Sequence, residues 1–532
     1  MTIRVNNINL DIDEAIEDLK IKAAKIMKVS GSEIKSFRIV KESIDARKKN
    51  NIKFNYAVTI TMDNEIKVVT RANNKDVKIE EDRYEAEFEF GTKKMNHRPI
   101  IVGMGPAGMF AGILMAQKGY NPLIIERGEK VEDRTKTINK FWTRAVLNTE
   151  SNVQFGEGGA GTFSDGKLTT RIKDNRCDYI LEEFVKAGAP KEILYIGKPH
   201  IGTDILKEVV KNIRETIIKL GGEVRFNSKL EDMKIKDGKL QSIIVNGDEI
   251  PCDNLILALG HSSRDTYEML YKKGVFMSSK PFAVGVRIEH PQDMINENQY
   301  GRYANHPRLK AADYKLAYTS KKLGRSVYSF CMCPGGGVVS AASEQGRLVI
   351  NGMSEYKRDK KNANSAIVVS VGPKDFEGDS PLAGIEFQRH YESLAYKVGG
   401  ENYNAPVQLV GDFLKDNISD KIGSIKPSYT LGYELTNLTK CLPSYVTDAI
   451  KEALPKFDYK INGFAREDAI LTGIETRTSA PIRIDRNEEF QSISLEGLYP
   501  AGEGAGYAGG IISAAVDGLK IAESIMKKWK SV

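Results

Sequence analysis

Gly103, Gly105 and Gly108 stand at the spacing G-x-G-x-x-G, after a short apolar run and before a stretch of helical character. Each glycine has a physical task in binding a dinucleotide. Gly103 permits the tight turn, Gly105 lets the backbone approach a pyrophosphate, and Gly108 lets the helix pack closely on the strand. The helix N-terminus then meets the phosphates with free N–H groups and a partial positive charge. Glu126 closes the next strand-like run, where a carboxylate accepts hydrogen bonds from the adenosine ribose. A nicotinamide or a flavin dinucleotide satisfies this fingerprint. The segment LYPAGEGAGYAGGIISAAVDG (498–518) decides between them, because a second strand-to-helix turn is how FAD domains hold the remaining pyrophosphate, the ribityl chain and the isoalloxazine edge. Region 200–260 has no second complete G-x-G-x-x-G, so NAD(P)H, if used, is a weakly and transiently bound electron donor.

Cys331 and Cys333 lie two apart in a strand-like run, 327–333, and are expected to face the same side. They read either as a redox or nucleophilic pair at the flavin or as two small core side chains. Cys333, nearer the Pro-Gly-Gly-Gly turn, is expected to be the more exposed. His261 follows Gly260 at the carboxyl end of a parallel strand, where α/β sheets bind ligands, and reads either as a donor to flavin or substrate or as part of a serine-capped helix start at 264–272. Lys167, Arg171 and Arg287 fit an anionic substrate or a solvated surface equally well. The single C-x-C has no second pair, and His290 and His306 share no ligand pattern, so no metal site is expected.

The elements that must position these residues follow from periodicity. An apolar run at 99–104, a helical stretch at 107–118 and a strand at 121–126 form a βαβ unit. A helix at 205–220 and strands at 223–226, 241–245 and 254–260 continue it. Longer mixed strands fill 275–480, and strand and helix character returns at 497–526. Before the polar joint 91–99, strand-like runs at 3–10, 34–40, 54–62 and 84–90 flank a helical stretch carrying Ile12, Ile16, Leu19, Ala23 and Ile26. The expected fold is α/β: a doubly wound FAD-binding domain (96–275, returning at 486–532), an inserted α+β cap or substrate domain (276–485), and a small N-terminal α+β domain (1–95).

At 532 residues the chain is long enough for about three domains. Hydrophobic residues make up 41% and charged residues 28%, which excludes disordered and collagen-like classes, and a net charge of +7 is small for this length. The first residues lack the basic and apolar regions of a signal peptide, and glycines and Pro106 break the apolar run 100–117, so a cytoplasmic protein with no membrane partner is expected. Five cysteines argue against a disulfide framework. One basic face stands out in the N-terminal domain: Lys20, Lys22, Lys25, Lys28, Lys35, Arg38, Lys41, Arg47, Lys48, Lys49 and Lys53. It is the only hint of nucleic acid, and the acidic run 80–89 and the lack of an aromatic-basic signature oppose it.

VGMGPAGMFAG with ERG after the second strand, FGEGGAGTFSDGKLTTRIKD (155–174), LALGHSSRDT (257–266), YSFCMCPGGGVVSAASE (328–344), PAGEGAGYAGGI and SIDARKKNNIKF (43–54) resemble the bacterial FAD-dependent proteins labelled NAD(FAD)-utilizing dehydrogenases. The resemblance covers nearly the whole chain and implies a glutathione-reductase-like FAD fold with a cap. It implies that Gly103, Gly105, Pro106, Ala107, Gly108, Glu126 and Arg127 hold the ADP half of non-covalent FAD, with a backbone contact to adenine at Leu230. It further implies that Gly260 ends the strand that runs beneath the dinucleotide, and that Gly502, Glu503, Gly509, Gly510 and Ile511 line pyrophosphate and flavin. The glycine-dense loop Gly158, Gly159, Ala160, Gly161 and Thr162 contacts the flavin. The expected function is an FAD-dependent oxidoreductase, a dehydrogenase of a small organic substrate held between FAD domain and cap, exchanging electrons with an unidentified partner. The alternative is a flavin-containing RNA-binding or RNA-modifying factor using the basic N-terminal domain.

Overall fold

The computed structural model describes residues 1–80 and 88–531. The N-terminal unit runs β1 (Ile3–Asp11), α1 (Asp18–Met27), β2 (Ser36–Asp45), β3 (Lys53–Thr61), α2 (Glu65–Ala72) and β4 (Val77–Ile79), with sheet order β2-β3-β1-β4. This is the split β-α-β arrangement. Alternation puts Ile3, Val5, Ile8 and Leu10 of β1 and Phe54, Tyr56, Val58 and Ile60 of β3 into its core, under Leu19, Ala23 and Met27 of α1. The sequence pattern missed α2 and β4 and began the first helix too early, because Ile12 to Glu17 form turns that lead into α1. Of the strand expected at 84–90, residues 84–87 lie outside the described residues, and 88–90 are not extended into a ladder.

Five short strands form a parallel sheet in the order Leu498–Pro500, Leu255–Leu257, Ile100–Val102, Leu123–Ile125, Glu223–Arg225. All of Ile100–Val102, Leu123–Ile125, Leu255–Leu257 and Leu498–Pro500 are buried, as strands covered on both faces must be. Helix α3 (Pro106–Gln117) follows Ile100–Val102 and starts with Gly105 at the N-cap and Pro106 in the first turn, where its missing N–H costs nothing. Its residues 107–116 are buried all round, between the sheet and the C-terminal helix Ile511–Lys528. Gly518 makes that packing close, since a Cβ there would lie 2.1 Å from the Ala107 carbonyl oxygen. The stretch expected as a strand at 241–245 belongs instead to an antiparallel meander of Leu230–Lys236, Lys239–Val245 and Asp248–Pro251.

The intervening chain builds a seven-stranded mixed sheet, ordered Ala317–Thr319, Ser326–Cys333, Asn362–Val371, Phe282–Pro291, Ile470–Glu475, Ala405–Leu409, Tyr433–Leu435. Helices Ala383–Val398 and Ser444–Asp458 contact this sheet and supply part of its core. The chain passes between the two large sheets along a pair of antiparallel strands, Met277–Ser279 and Ile482–Ile484. Among the described residues no helix is long and apolar enough to cross a membrane.

Candidate functional site

One cavity of about 360 Å³ runs from the parallel sheet to the seven-stranded sheet. Both glycine turns open into it. Gly103, Gly105, Pro106 and Ala107 line it from the start of α3, and Gly509, Gly510 and Ile511 from the start of the C-terminal helix. The first N–H groups of each helix have no acceptor within the helix, so two sets of donors and two positive helix ends face one space. Gly105 is the cradle: a Cβ there would meet only the Gly159 Cα, at 3.8 Å. Gly108 is different, because its Cβ would lie 2.0 Å from the Gly103 carbonyl oxygen, so it keeps helix and strand in contact and does not line the cavity.

Glu126 lines the cavity, but its carboxylate already accepts from the N–H of Met104 at 2.8 Å, Gly156 at 2.9 Å and Gly128 at 3.0 Å. Those bonds fix the acid at the strand end and leave acceptor capacity for a ribose hydroxyl. Arg127 lies over the Phe155 ring, 4.1 Å from its centroid, and is clamped by Glu150 and Asp265. The Arg127 guanidinium in turn holds the Asp265 carboxyl well below the usual range against the burial that raises it. Leu230, with Ser228 and Lys229, lines the same end.

Of the glycine-dense loop, Gly159, Ala160 and Gly161 face the cavity; Gly158 and Thr162 do not. Thr162 is buried, its hydroxyl donates to the Glu157 carbonyl at 3.3 Å, and Gly158, at φ +80°, has no room for a Cβ beside that hydroxyl. Their task is to shape the loop. Gly502 likewise stands behind the site, its N–H donating to Asp517 at 2.7 Å, while Glu503 lines the cavity and burial pushes its carboxyl up to about 7. Gly260 and His261 line it too. Burial, with the Arg477 and Arg264 guanidiniums nearby, pushes His261 down to about 3, so the imidazole is neutral. The helix Arg264–Lys272 starts where expected, yet no serine caps it: the Ser263 hydroxyl donates back to the Leu259 carbonyl at 3.0 Å.

The two cysteines do not both line the cavity. The ladder with Asn362–Val371 slips between Phe330 and Cys333, and Cys331 sits in the left-handed region at φ +43°. Cys331 therefore turns into the cavity, partly exposed, while Cys333 is fully buried behind it with its thiol 3.3 Å from the Cys331 carbonyl oxygen. The expectation that Cys333 is the more exposed is reversed. The hydrogen bond from the Cys333 thiol and the Lys167 and Arg287 cations lower the Cys331 thiol, whereas that same hydrogen bond and burial push Cys333 up against the two cations.

Lys167 lines the cavity, 3.7 Å from Asp165, which is itself clamped by Arg358. Arg171 is exposed and away from the cavity. Arg287 is fully buried, held by Glu475 at 2.8 and 2.9 Å, so it braces the site and cannot reach a substrate. Sequence reasoning missed Gln154, Phe155, Asp165, Phe330, Asn351, Glu475, Arg477 and Thr478, all of which line the cavity. Four of these come from long-range pairing in the seven-stranded sheet or the loop that follows Ile470–Glu475, which no local motif announces. Arg477 is fixed by Glu392, which also pairs with Arg264. No group of His, Cys, Asp or Glu able to hold a metal occurs among the described residues.

Residues 97–285 match the family described as pyridine nucleotide-disulphide oxidoreductase, 281–478 the family described as FAD-dependent protein, C-terminal domain-like, and 2–61 a domain of unknown function. An uncharacterized protein of Clostridium beijerinckii is 61% identical over 529 residues, 99% of each chain. Among solved structures, glycine oxidase from Geobacillus kaustophilus is 10% identical over 80% of this chain and 94% of its own, with a TM-score of 0.36. L-proline dehydrogenase from P. horikoshii is 12% identical over 82% and 94%, with a TM-score of 0.34. Likeness at that level carries no argument about chemistry. The chain belongs to the family of the clostridial protein, a family of FAD-dependent oxidoreductases, and FAD is its cofactor. The paired helix N-termini, the Gly105 cradle and Glu126 fit that dinucleotide.

Proposed function

We propose that the protein is an FAD-dependent dehydrogenase of a small, anionic organic substrate bound between the parallel sheet and the seven-stranded sheet. The observation that carries this reading is the single cavity that both glycine turns share with Lys167, Cys331 and Glu475. FAD, when bound, supplies the two-electron acceptor. The chain's own residues do the rest. The Lys167 ammonium binds the substrate's anionic group. Cys331 Sγ, held toward the thiolate by Lys167 and Arg287, accepts the substrate's proton. Neutral His261 offers a hydrogen bond without a charge, and Arg287 holds Glu475 in place, opposing the burial that raises its carboxyl. Cys333 stands behind Cys331 and acts through it.

Two features of the N-terminal sheet favour this reading over the RNA-factor alternative. The face of β1 and β3 turned away from the core carries Arg4, Asn9, Asn55, Ala57 and Thr59, with no aromatic on which a base could stack. Lys22, Lys35, Arg47 and Lys53 of the basic face are paired with Glu14, Asp63, Asp45 and Asp11.

Anaerobic titration of the yellow protein with NADH, NADPH and panels of hydroxy and amino acids tests the proposal. The expected result is bleaching of the flavin by one small acid, with C331S slowing reduction and K167M raising KM. Unchanged reduction in both variants would remove the assigned roles. Tight, stoichiometric NADH binding would contradict a transient donor.

A further inference from the structure

We propose that Cys331 and Cys333 form a peroxide-reactive thiol pair, Cys331 as the attacking sulfur and Cys333 as the resolving one, which peroxide oxidises from dithiol to intramolecular disulfide. The inference uses the same cavity-facing Cys331 as the dehydrogenase reading but does not depend on the organic substrate. Three observations combine. The slipped ladder and the left-handed backbone at Cys331 bring its sulfur out of the strand and into the cavity, where Lys167 also lies. That same distortion leaves Cys333 directly behind, its sulfur 3.3 Å from the Cys331 carbonyl oxygen, closed off from solvent. Arg287 donates to that carbonyl at 3.1 Å, so a fixed cation braces the pair from the buried side.

The chain provides its own comparison. Cys252 and Cys441 are buried with thiols pushed up to about 12, and Cys177 is raised by burial and Asp174. Only Cys331 is lowered among these five free cysteines. Access sets the oxidant class. Cys331 is only partly exposed in a cavity of about 360 Å³, which suits an oxidant of a few atoms better than a bulky disulfide. Hydrogen peroxide fits.

The steps balance. The Cys331 thiolate attacks one peroxide oxygen, the O–O bond breaks, and the departing hydroxide takes up a proton to leave as water, giving Cys331 sulfenic acid. The Cys333 sulfur, losing its proton, attacks the sulfenic sulfur. An S–S bond forms, the S–O bond breaks, and a second water leaves. Two electrons pass from the thiols to the peroxide.

The test is mass spectrometry of the holoprotein after peroxide treatment and alkylation. Both cysteines fall between Arg325 and Arg347, so trypsin releases them on one peptide. The expected product is that peptide lighter by two hydrogens, unalkylated, restored by dithiothreitol, and absent from C331S. In C333S, dimedone should trap the sulfenic acid at Cys331. Iodoacetamide labelling of Cys331 should change less than about threefold between pH 6 and 8, while Cys177 labelling rises about tenfold per pH unit. Cys331 still alkylatable after Cys177 has been oxidised would overturn the proposal, and so would a disulfide linking Cys331 to a second molecule. Should C333S fail to fold, the wild-type peptide alone decides. Flavin reduction by substrate is read separately, so loss of one reading leaves the other standing.

Discussion

Replacing Gly105 and Gly108 of one motif should produce two different failures. At Gly105 a new Cβ meets only Gly159 Cα at 3.8 Å, an ordinary contact, so the chain accepts a side chain there. The side chain of G105L then occupies the space that a pyrophosphate needs, and the ligand loses its closest backbone donors. Two charge-assisted hydrogen bonds at about 1.5–3 kcal/mol each sum to about 3–6 kcal/mol, or roughly a hundredfold to ten-thousandfold in Kd. At Gly108 the new Cβ would meet the Gly103 carbonyl oxygen at 2.0 Å, so strand and helix must separate even in G108A. Apoprotein prepared by chaotrope extraction and titrated with FAD, following fluorescence quenching, gives Kd; thermal melts of the same apoproteins give stability. G105L should keep the apoprotein melting temperature and lose affinity. G108A should lower the melting temperature first. Binding within threefold of wild type in G105L would refute the cradle, and equal melting losses in both variants would refute the distinction.

Glu392 accepts from both Arg264 and Arg477 while fully buried, at 2.6 to 3.0 Å, so E392Q leaves two buried guanidiniums short of charge and should cost about 3 kcal/mol in urea unfolding. A loss under about 1 kcal/mol would show that Glu344 alone suffices. Because burial raises Glu503 from 4.5 to about 7, the folded protein keeps a proton that the unfolded chain has released between those values. Stability therefore falls as pH rises across that window, and E503Q should make the apoprotein more stable than wild type at pH 8 but not at pH 4.5. A gap that does not change with pH would rule this out. The pH profile of flavin reduction should show no step from His261, held neutral down to about pH 3, and H261Q should leave the profile's shape unchanged.

What could be read in the sequence was whatever depends on a short stretch of chain. The first glycine motif, α3 and the helix Arg264–Lys272 are bounded by residues within a few positions, and their reading needs no partner. Cys331 and Cys333 show the limit. Alternation along an extended strand makes them equivalent, but a slipped register, decided by the pairing with Asn362–Val371, leaves Cys331 lining the cavity and Cys333 buried behind it. Glu475, Arg477 and Asn351 reach the cavity through pairings far along the chain, and Arg287 looked like a surface or substrate charge because its partner Glu475 lies 188 positions away. Gly158 and Gly502 were glycines for packing reasons that only a third dimension shows.

The parallel sheet takes its edge strand, Leu498–Pro500, and its second helix N-terminus from residues made about 400 positions after the first glycine turn. Growing from the ribosome, the chain presents Gly103 to Gly108 early, with strand partners at 123–125 and then 223–225, and must hold that half-site while the whole seven-stranded sheet is synthesised. Apolar α3 stays without its cover until Ile511–Lys528 arrives. The N-terminal unit is complete by residue 79 and can close on its own. The cavity cannot: its second helix end exists only once residue 511 is in place, so a chain stalled before that point carries an incomplete site and an uncovered apolar helix.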